Sequence, residues 1–139
     1  MKKEALDELE CGDIIKLNFS PTLGHEQDGY RPALILSNPK DQNKFLNGMV
    51  SVAPITNNKK GFPLHLALDE RTETQGSVLM DQHKMVDLGA REFKYIEKIP
   101  SDKLEACKHI FAALYETLLK SVFLFVLHCV TIILRGDYI

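Results

Sequence analysis

The run Gly24-His25-Glu26-Gln27-Asp28-Gly29-Tyr30-Arg31-Pro32 brings an imidazole, two carboxylates, an amide and a guanidinium into one glycine-bracketed loop. Pro32 fixes its own φ and biases Arg31 toward an extended backbone. The arginine therefore has a defined direction at the mouth of the apolar run Ala33-Leu34-Ile35-Leu36. A permanently charged fork of N–H donors, with acidic and imidazole groups nearby, suits an anionic ligand such as phosphate. The same residues also suit a structural Arg–Glu or Arg–Asp pair beside a strand. Two further polar runs hold comparable chemistry: Thr56-Asn57-Asn58-Lys59-Lys60, and Asp81-Gln82-His83-Lys84. Each lies directly beside an apolar segment, and strand ends in a small barrel can bring such runs together.

The elements that must position these runs are mostly strands. Ile15, Leu17 and Phe19 alternate with Lys16 and Asn18, the pattern of a half-buried strand after the Gly12-Asp13 turn. Residues 33–37 read as a core strand. Residues 39–47 read as a polar loop, and Asn47-Gly48 predicts a hairpin turn. Residues 49–55 form the next strand, which Pro54 should end or confine to a sheet edge because proline donates nothing to a ladder. After the loop at residues 56–61, Leu64, Leu66 and Leu68 alternate with His65 and Ala67. Residues 77–80, 85–86 and 93–99 supply further strands.

Pro100-Ser101-Asp102 opens a helix, with Ser101 as N-cap and Asp102 favouring the positive helix end. Leu104, Cys107, Ile110, Phe111, Leu114 and Leu118 give it one apolar face. Short strands with turns between them, then a helix, predict a mainly β (α+β) fold. The expected form is a small twisted barrel packed by a C-terminal helix.

Bulk properties bound the function. A chain of 139 residues suits one domain, residues 1–139, with no interdomain linker. A net charge of −2 argues against coating nucleic acid by charge alone, yet allows a local basic site. Cys11, Cys107 and Cys129 form neither a CxxC pair nor a disulfide framework, which points to a reducing cytoplasm. The histidines show no metal-ligand spacing, so neither metal nor cofactor is expected. Acidic residues follow Met1-Lys2-Lys3, unlike a signal peptide. The apolar run at residues 122–134 is shorter than the roughly 20 residues that span a bilayer. No membrane role is expected, and residues 121–139 read as an apolar extension of unknown role, either partner-facing or not native to the fold.

The chain resembles the MazF/PemK (Kid) family of toxin endoribonucleases of type II toxin–antitoxin systems. The matching pieces are Gly12-Asp13-Ile14-Ile15 with Asn18-Phe19-Ser20-Pro21, then Gly24-His25-Glu26-Gln27 with Gly29-Tyr30-Arg31-Pro32-Ala33. They continue with Pro54-Ile55-Thr56 running into Lys60-Gly61-Phe62-Pro63, and with Gly76-Ser77-Val78-Leu79-Met80-Asp81-Gln82. The likeness covers about residues 10–119. It implies an SH3-like barrel of the MazF/Kid/CcdB type with a C-terminal helix, a homodimer, and a groove for single-stranded RNA. It also implies sequence-selective, metal-independent cleavage of messenger RNA, growth inhibition, and restraint by a cognate antitoxin protein. The family's catalytic arginine and threonine fall on Arg31 and Thr56, its supporting acidic residue on Glu26, and Gln82 falls near the groove. The tract from Ser121 onward has no counterpart in the family pattern.

Cleavage without metal uses the substrate's own 2′-OH as nucleophile and leaves a 2′,3′-cyclic phosphate and a 5′-OH. That reaction needs a base, an acid and donors for the extra negative charge. Arg31 suits the last role, Thr56 can donate to phosphate, and Glu26 is the simplest base. Arginine is a poor proton donor near neutrality, so the acid stays open. His25 is a candidate acid or base because histidine titrates nearest neutral pH. Lys59, Lys60 and Lys84 can contact phosphates. Gln27, Asn57, Asn58 and Gln82 can read base edges, although asparagine also favours turns for its own sake. Phe19, Tyr30 and Phe62 can stack on bases, with Phe19 equally suited to the core. Two other readings stand beside this one: a CcdB-like toxin that poisons gyrase by protein contact, and a non-catalytic relative that binds RNA or antitoxin.

Overall fold

Alternating apolar residues on both faces make the central strands. The computed structural model describes residues 3–58 and 61–136. In chain order the strands are β1 (Asp13–Asn18), β2 (Tyr30–Ile35), β3 (Met49–Thr56), β4 (His65–Ala67), β5 (Ser77–Leu79), β6 (Lys84–Asp87) and β7 (Phe93–Lys98). The helices are α1 (Pro39–Leu46), α2 (Ser101–Leu114) and α3 (Glu116–Arg135). The sheet runs β4-β5-β3-β2-β1-β7, and β6 adds to β3 beside β5. Every pairing is antiparallel. No ladder joins β7 to β4 or β6 among the described residues, so the barrel is an open one.

The period of two sends side chains to two cores. On one face lie Ile15, Leu17, Ala33, Ile35, Val50, Val52 and Val86, closed by Leu9, Phe19 and Leu88. On the other lie Ile14, Leu34, Ala53, Ile55 and Val78, covered by Met80 and by Cys107 of α2. Leu104, Ile110 and Leu114 complete that helical face, and apolar burial on both sides of the sheet holds the strands in register.

Pro39–Leu46 is helical where a loop over residues 39–47 is expected. Pro39 sits at the start of α1, where its missing N–H costs nothing. Asn47 adopts φ 49° and returns its N–H to the Asn43 carbonyl, so it ends the helix. The positive φ that Asn47-Gly48 favours is used, but for a helix terminus followed by β3 rather than for a hairpin.

Pro54 neither ends β3 nor places it at an edge. The strand continues to Thr56, and Pro54 is paired with Ala33. The Ser51 carbonyl accepts the Leu36 N–H from the β2 side, so alternation turns Pro54 to the opposite side. There β6 stops at Val52 and β5 begins at Ile55. The absent donor falls in the gap between two partner strands.

The helix expected after residue 100 is present, with Pro100 rather than Ser101 at its N-cap. Asp102 lies in its first turn and accepts two hydrogen bonds from Arg71. Phe111 is outside the buried face and packs its ring against His83 at 5.1 Å. The apolar tract forms most of α3, which exposes Phe123, Leu124, Phe125 and Leu134. Among the described residues no helix is long and apolar enough to cross a membrane.

Candidate functional site

Arg31 sits at the start of β2, opposite Leu17, so its side chain continues the row that holds Ala33 and Ile35. Its Nε donates to the Asp28 carbonyl at 2.7 Å and its Nη1 to Gln27 Oε1 at 2.7 Å. Both acceptors are uncharged. Among the described residues Arg31 makes no ion pair, although its charge acts at longer range on the nearby Asp28 carboxylate. This is a different arrangement from the structural Arg–carboxylate pair that the sequence also allowed.

The loop before Arg31 is braced at its base. Gly29, at φ 81°, donates to the Asp28 carboxylate and to the Ser20 hydroxyl. The Ser20 hydroxyl, and then the Gly29 N–H, hold the Asp28 carboxyl below the usual carboxylate range. Arg91 Nη1 clamps the Asn18 carbonyl at 2.8 Å. A loop of polar residues thereby presents Arg31 with little freedom.

Thr56 ends β3 opposite Ser77. The last ladder pair between β2 and β3 is Ala33 with Pro54, and Arg31 and Thr56 each lie two residues further out. That offset puts both on the face of the Ala33–Pro54 pair, at the same end of the ladder. Gly76 fixes the Thr56 backbone from the other side. Its φ is 111°, and a Cβ there would lie 1.9 Å from the Thr56 carbonyl oxygen. Only glycine allows this approach.

Two adjoining cavities open beside these residues. One, of about 290 Å³, is lined by Gln27, Thr56, Asn58, Phe62, His65 and Gln82, among others. The other, of about 250 Å³, is lined by Glu26, Gln27, Pro54, Asp81, Gln82, His83 and Lys84. Gln27 and Gln82 form the wall between them, and the Gln27 N–H donates to Gln82 Oε1 at 2.8 Å. Lys84 Nζ lies 3.8 Å from the Glu26 carboxylate and 5.2 Å from the centre of the buried Phe19 ring. Phe19 is thus a core residue whose face supports a site cation.

The three polar runs therefore meet. Glu26, Gln27, Thr56, Asn58, Gln82 and Lys84 line the cavities, and Arg31 is joined to them through Gln27. His25 lies exposed in the turn and lines neither cavity. Asn57 is exposed and lines neither. Lys59 and Lys60 lie outside the described residues. Tyr30 is 58% exposed with Lys16 Nζ 4.9 Å from its ring centre, away from the core row.

The sequence reading missed His65 and its partner. His65 Nε2 lies 2.9 Å from Asp81 Oδ1, and the imidazole packs on Phe62 with ring centres 4.7 Å apart. His65 pairs with Leu79 and Thr56 with Ser77, so both project from one face of the β3-β5-β4 sheet. A signal existed: His65 faces away from the apolar set of a short alternating strand, and Asp81 follows the next apolar run directly.

The fold is an open antiparallel sheet packed by a helix, with Arg31 and Thr56 at one end of the β2–β3 ladder. Residues 10–115 match the family model described as the PemK-like, MazF-like toxin of type II toxin-antitoxin systems, and the chain belongs to that family. It is 40% identical over 82 residues to the endoribonuclease toxin MazF of Escherichia coli (strain K12), covering 59% of this chain and 71% of the relative. It is 44% identical over 97 residues to the endoribonuclease toxin ChpB of the same strain, covering 64% of this chain and 78% of the relative. Its fold is similar to the crystal structure of MazF (Form-I) from Deinococcus radiodurans, at TM-score 0.71 and 30% identity over 78% of this chain and 96% of that one. A chain of the MazE-MazF (Form-II) crystal structure from the same organism gives TM-score 0.67 and 31% identity over the same shares.

Proposed function

We propose that this chain is the toxin of a type II toxin–antitoxin system, an endoribonuclease that cuts single-stranded messenger RNA in the cytoplasm and arrests growth. The reading rests on the family and on one observation: Arg31 is aimed by two neutral acceptors and makes no ion pair among the described residues, at the strand end that also carries Thr56.

The chemistry follows from the residues. The guanidinium draws the scissile phosphate toward Gln27 and stabilises the negative charge that grows on its oxygens. The Thr56 hydroxyl donates to the same phosphate and fixes its orientation. Glu26 accepts the proton of the attacking 2′-OH, with Lys84 holding that carboxylate near the cavity. The 2′-oxygen bonds to phosphorus, the 5′-oxygen leaves, and the products are a 2′,3′-cyclic phosphate and a 5′-OH. The nucleophile is part of the substrate, and the proposed step draws on these side chains without metal or cofactor. Gln27, Asn58, Gln82 and Lys84 contact the RNA along the cavity walls, and Asn57, Lys59 and Lys60 add further contacts. His25 at the loop tip touches the RNA outside the reacting centre. The protein works as a homodimer, and a cognate antitoxin protein silences it by covering this groove.

The test is cleavage of a defined single-stranded RNA in EDTA, with the new ends mapped. Wild-type protein yields cyclic phosphate and 5′-OH ends at preferred sequences, and Arg31→Ala loses cleavage while keeping its circular dichroism spectrum. Full activity in that folded variant sinks the reading. Gyrase inhibition without any RNA cleavage transfers the chain to the gyrase-poison class.

A further inference from the structure

We infer that His65 is the general acid of the reaction, protonating the departing 5′-oxygen, and that Asp81 is the residue that positions it. The inference rests on the nuclease reading above and supplies the proton donor that reading lacks.

Three observations carry it. First, His65 lines the same cavity as Thr56, and the strand register sends both side chains to one face. From Thr56 to His65 the path crosses one intervening strand and two residues along it. Strand geometry makes that about 12 Å between backbones, a gap the two side chains and one phosphodiester can fill. Second, the imidazole is oriented. Its Nε2–H donates to Asp81 Oδ1 at 2.9 Å and its ring rests on Phe62. This bond assigns the proton to Nε2 in the neutral ring and leaves Nδ1 without a partner among the described residues. Third, His65 is only partly exposed, with a side-chain accessibility of 21%, and it lines one cavity while Asp81 lines the adjoining one.

His25, the other candidate imidazole, lines neither cavity and stands exposed in the turn. Arg31 is excluded as a donor by its chemistry, since a guanidinium does not release its proton near neutral pH. His65 with a carboxylate on one nitrogen is the arrangement by which histidine usually serves as acid or base.

The step balances. The doubly protonated His65 gives its Nδ1 proton to the 5′-oxygen as the P–O5′ bond breaks, while Glu26 takes the 2′-OH proton as the P–O2′ bond forms. Afterwards His65 is neutral, Glu26 is protonated, and exchange with water restores both. Asp81 keeps the Nε2 proton throughout and stabilises the cationic ring before transfer.

A substrate pair separates this role from a structural one. One RNA carries the ordinary phosphodiester; the other has a bridging 5′-sulfur at the cut site, whose thiolate leaves without needing a proton. On the ordinary RNA, His65→Gln should lose roughly 10²–10⁴-fold in single-turnover rate, the usual worth of a positioned acid. On the 5′-sulfur RNA the same variant should cut at close to the wild-type rate. Asp81→Asn should show the same rescue with a smaller initial loss. Arg31→Ala should fail on both RNAs, because its contribution is to the phosphate charge. Equal losses for His65→Gln on both substrates, or no loss on the ordinary one, overturn the acid role while leaving the nuclease reading in place. If wild-type protein cuts neither RNA, the nuclease reading itself falls and this inference falls with it. The rescue arm is internal, because a misfolded variant cannot cut the sulfur substrate.

Discussion

The backbone N–H of Gln27 donates to the side-chain oxygen of Gln82 at 2.8 Å, across 55 residues of sequence. Gln27 in turn holds Arg31 Nη1 with its own side-chain oxygen. The arginine's direction therefore depends on a residue beyond β5 that it never touches. Gln82→Ala should lower the single-turnover rate of RNA cleavage by about 10-fold or more, since small misplacements of a charge-stabilising group are costly. Stability should fall by only about 1 kcal/mol, the usual net worth of one hydrogen bond. Rate and denaturation midpoint measured on one preparation check both; an unchanged rate would detach Gln82 from the positioning of Arg31.

Gly76→Ala addresses Thr56 through the backbone. The new methyl would overlap the Thr56 carbonyl, 1.9 Å away, at a φ of 111° that alanine resists. Neither backbone segment can retreat without breaking the β3–β5 ladder. The expected cost is about 3 kcal/mol or more, in the range reserved for strained backbone and overpacking. Urea denaturation reads it directly. A loss under 1 kcal/mol would show that β5 can shift away from Thr56 cheaply.

Asp13 anchors the N-terminal segment from inside. It is fully buried, and Lys3 Nζ reaches it at 2.7 Å with the lysine side chain only 6% exposed. Asp13 Oδ1 carries no hydrogen bond. Asp13→Asn leaves the buried Lys3 ammonium with only the Glu10 carboxylate, 3.8 Å away, and should destabilise by about 3 kcal/mol. The double variant Asp13→Leu with Lys3→Met removes both charges and should recover most of that loss. A double variant no more stable than the single would indicate that the pair contributes more than mutual neutralisation.

Acid should act through the charge cluster beside Asp13. Lys98 first, and Lys40 second, hold the Glu10 carboxyl down to about 2 from the ordinary glutamate range. A carboxylate depressed in the folded state contributes stability above its unfolded value, and that contribution is lost as pH falls. Stability should decline between about pH 4.5 and 2, with the decline shallower in Glu10→Gln. The group faces water, so added salt should weaken the difference between the two proteins. Parallel melting curves across that pH window check the slope; identical slopes would remove Glu10 from the acid response.

Local chemistry in the chain determined a great deal. Period-two alternation at Ile15, Leu17 and Phe19 states a strand and its inward face, because a pleated backbone leaves side chains no other arrangement. Pro32 makes Arg31 extended wherever the strand lies. The glycine at position 76 and the proline at position 54 were visible too, but their meaning was not. Pro54 looks like a strand terminator until two different strands are seen to share one side of β3. Asn47-Gly48 looks like a hairpin until α1 is present for it to end. In both cases the residue states a backbone property, a missing donor or a positive φ, and only the partners decide its use.

The site divides along the same line. Arg31, Thr56 and Glu26 stand in motifs with fixed neighbours, so they were legible from order along the chain. The His65–Asp81 pair has no motif; it arises because β4 and β5 pair with His65 opposite Leu79, which leaves Asp81 just past the strand end. Likewise, whether Arg31 would spend its charge on a nearby carboxylate was open in a run that holds Glu26 and Asp28. The folded loop turns the Asp28 carboxylate to Ser20 and Gly29 and gives Arg31 only that residue's carbonyl. Side-chain chemistry is local and can be read residue by residue, whereas which charges meet is a property of distances that tertiary packing alone sets.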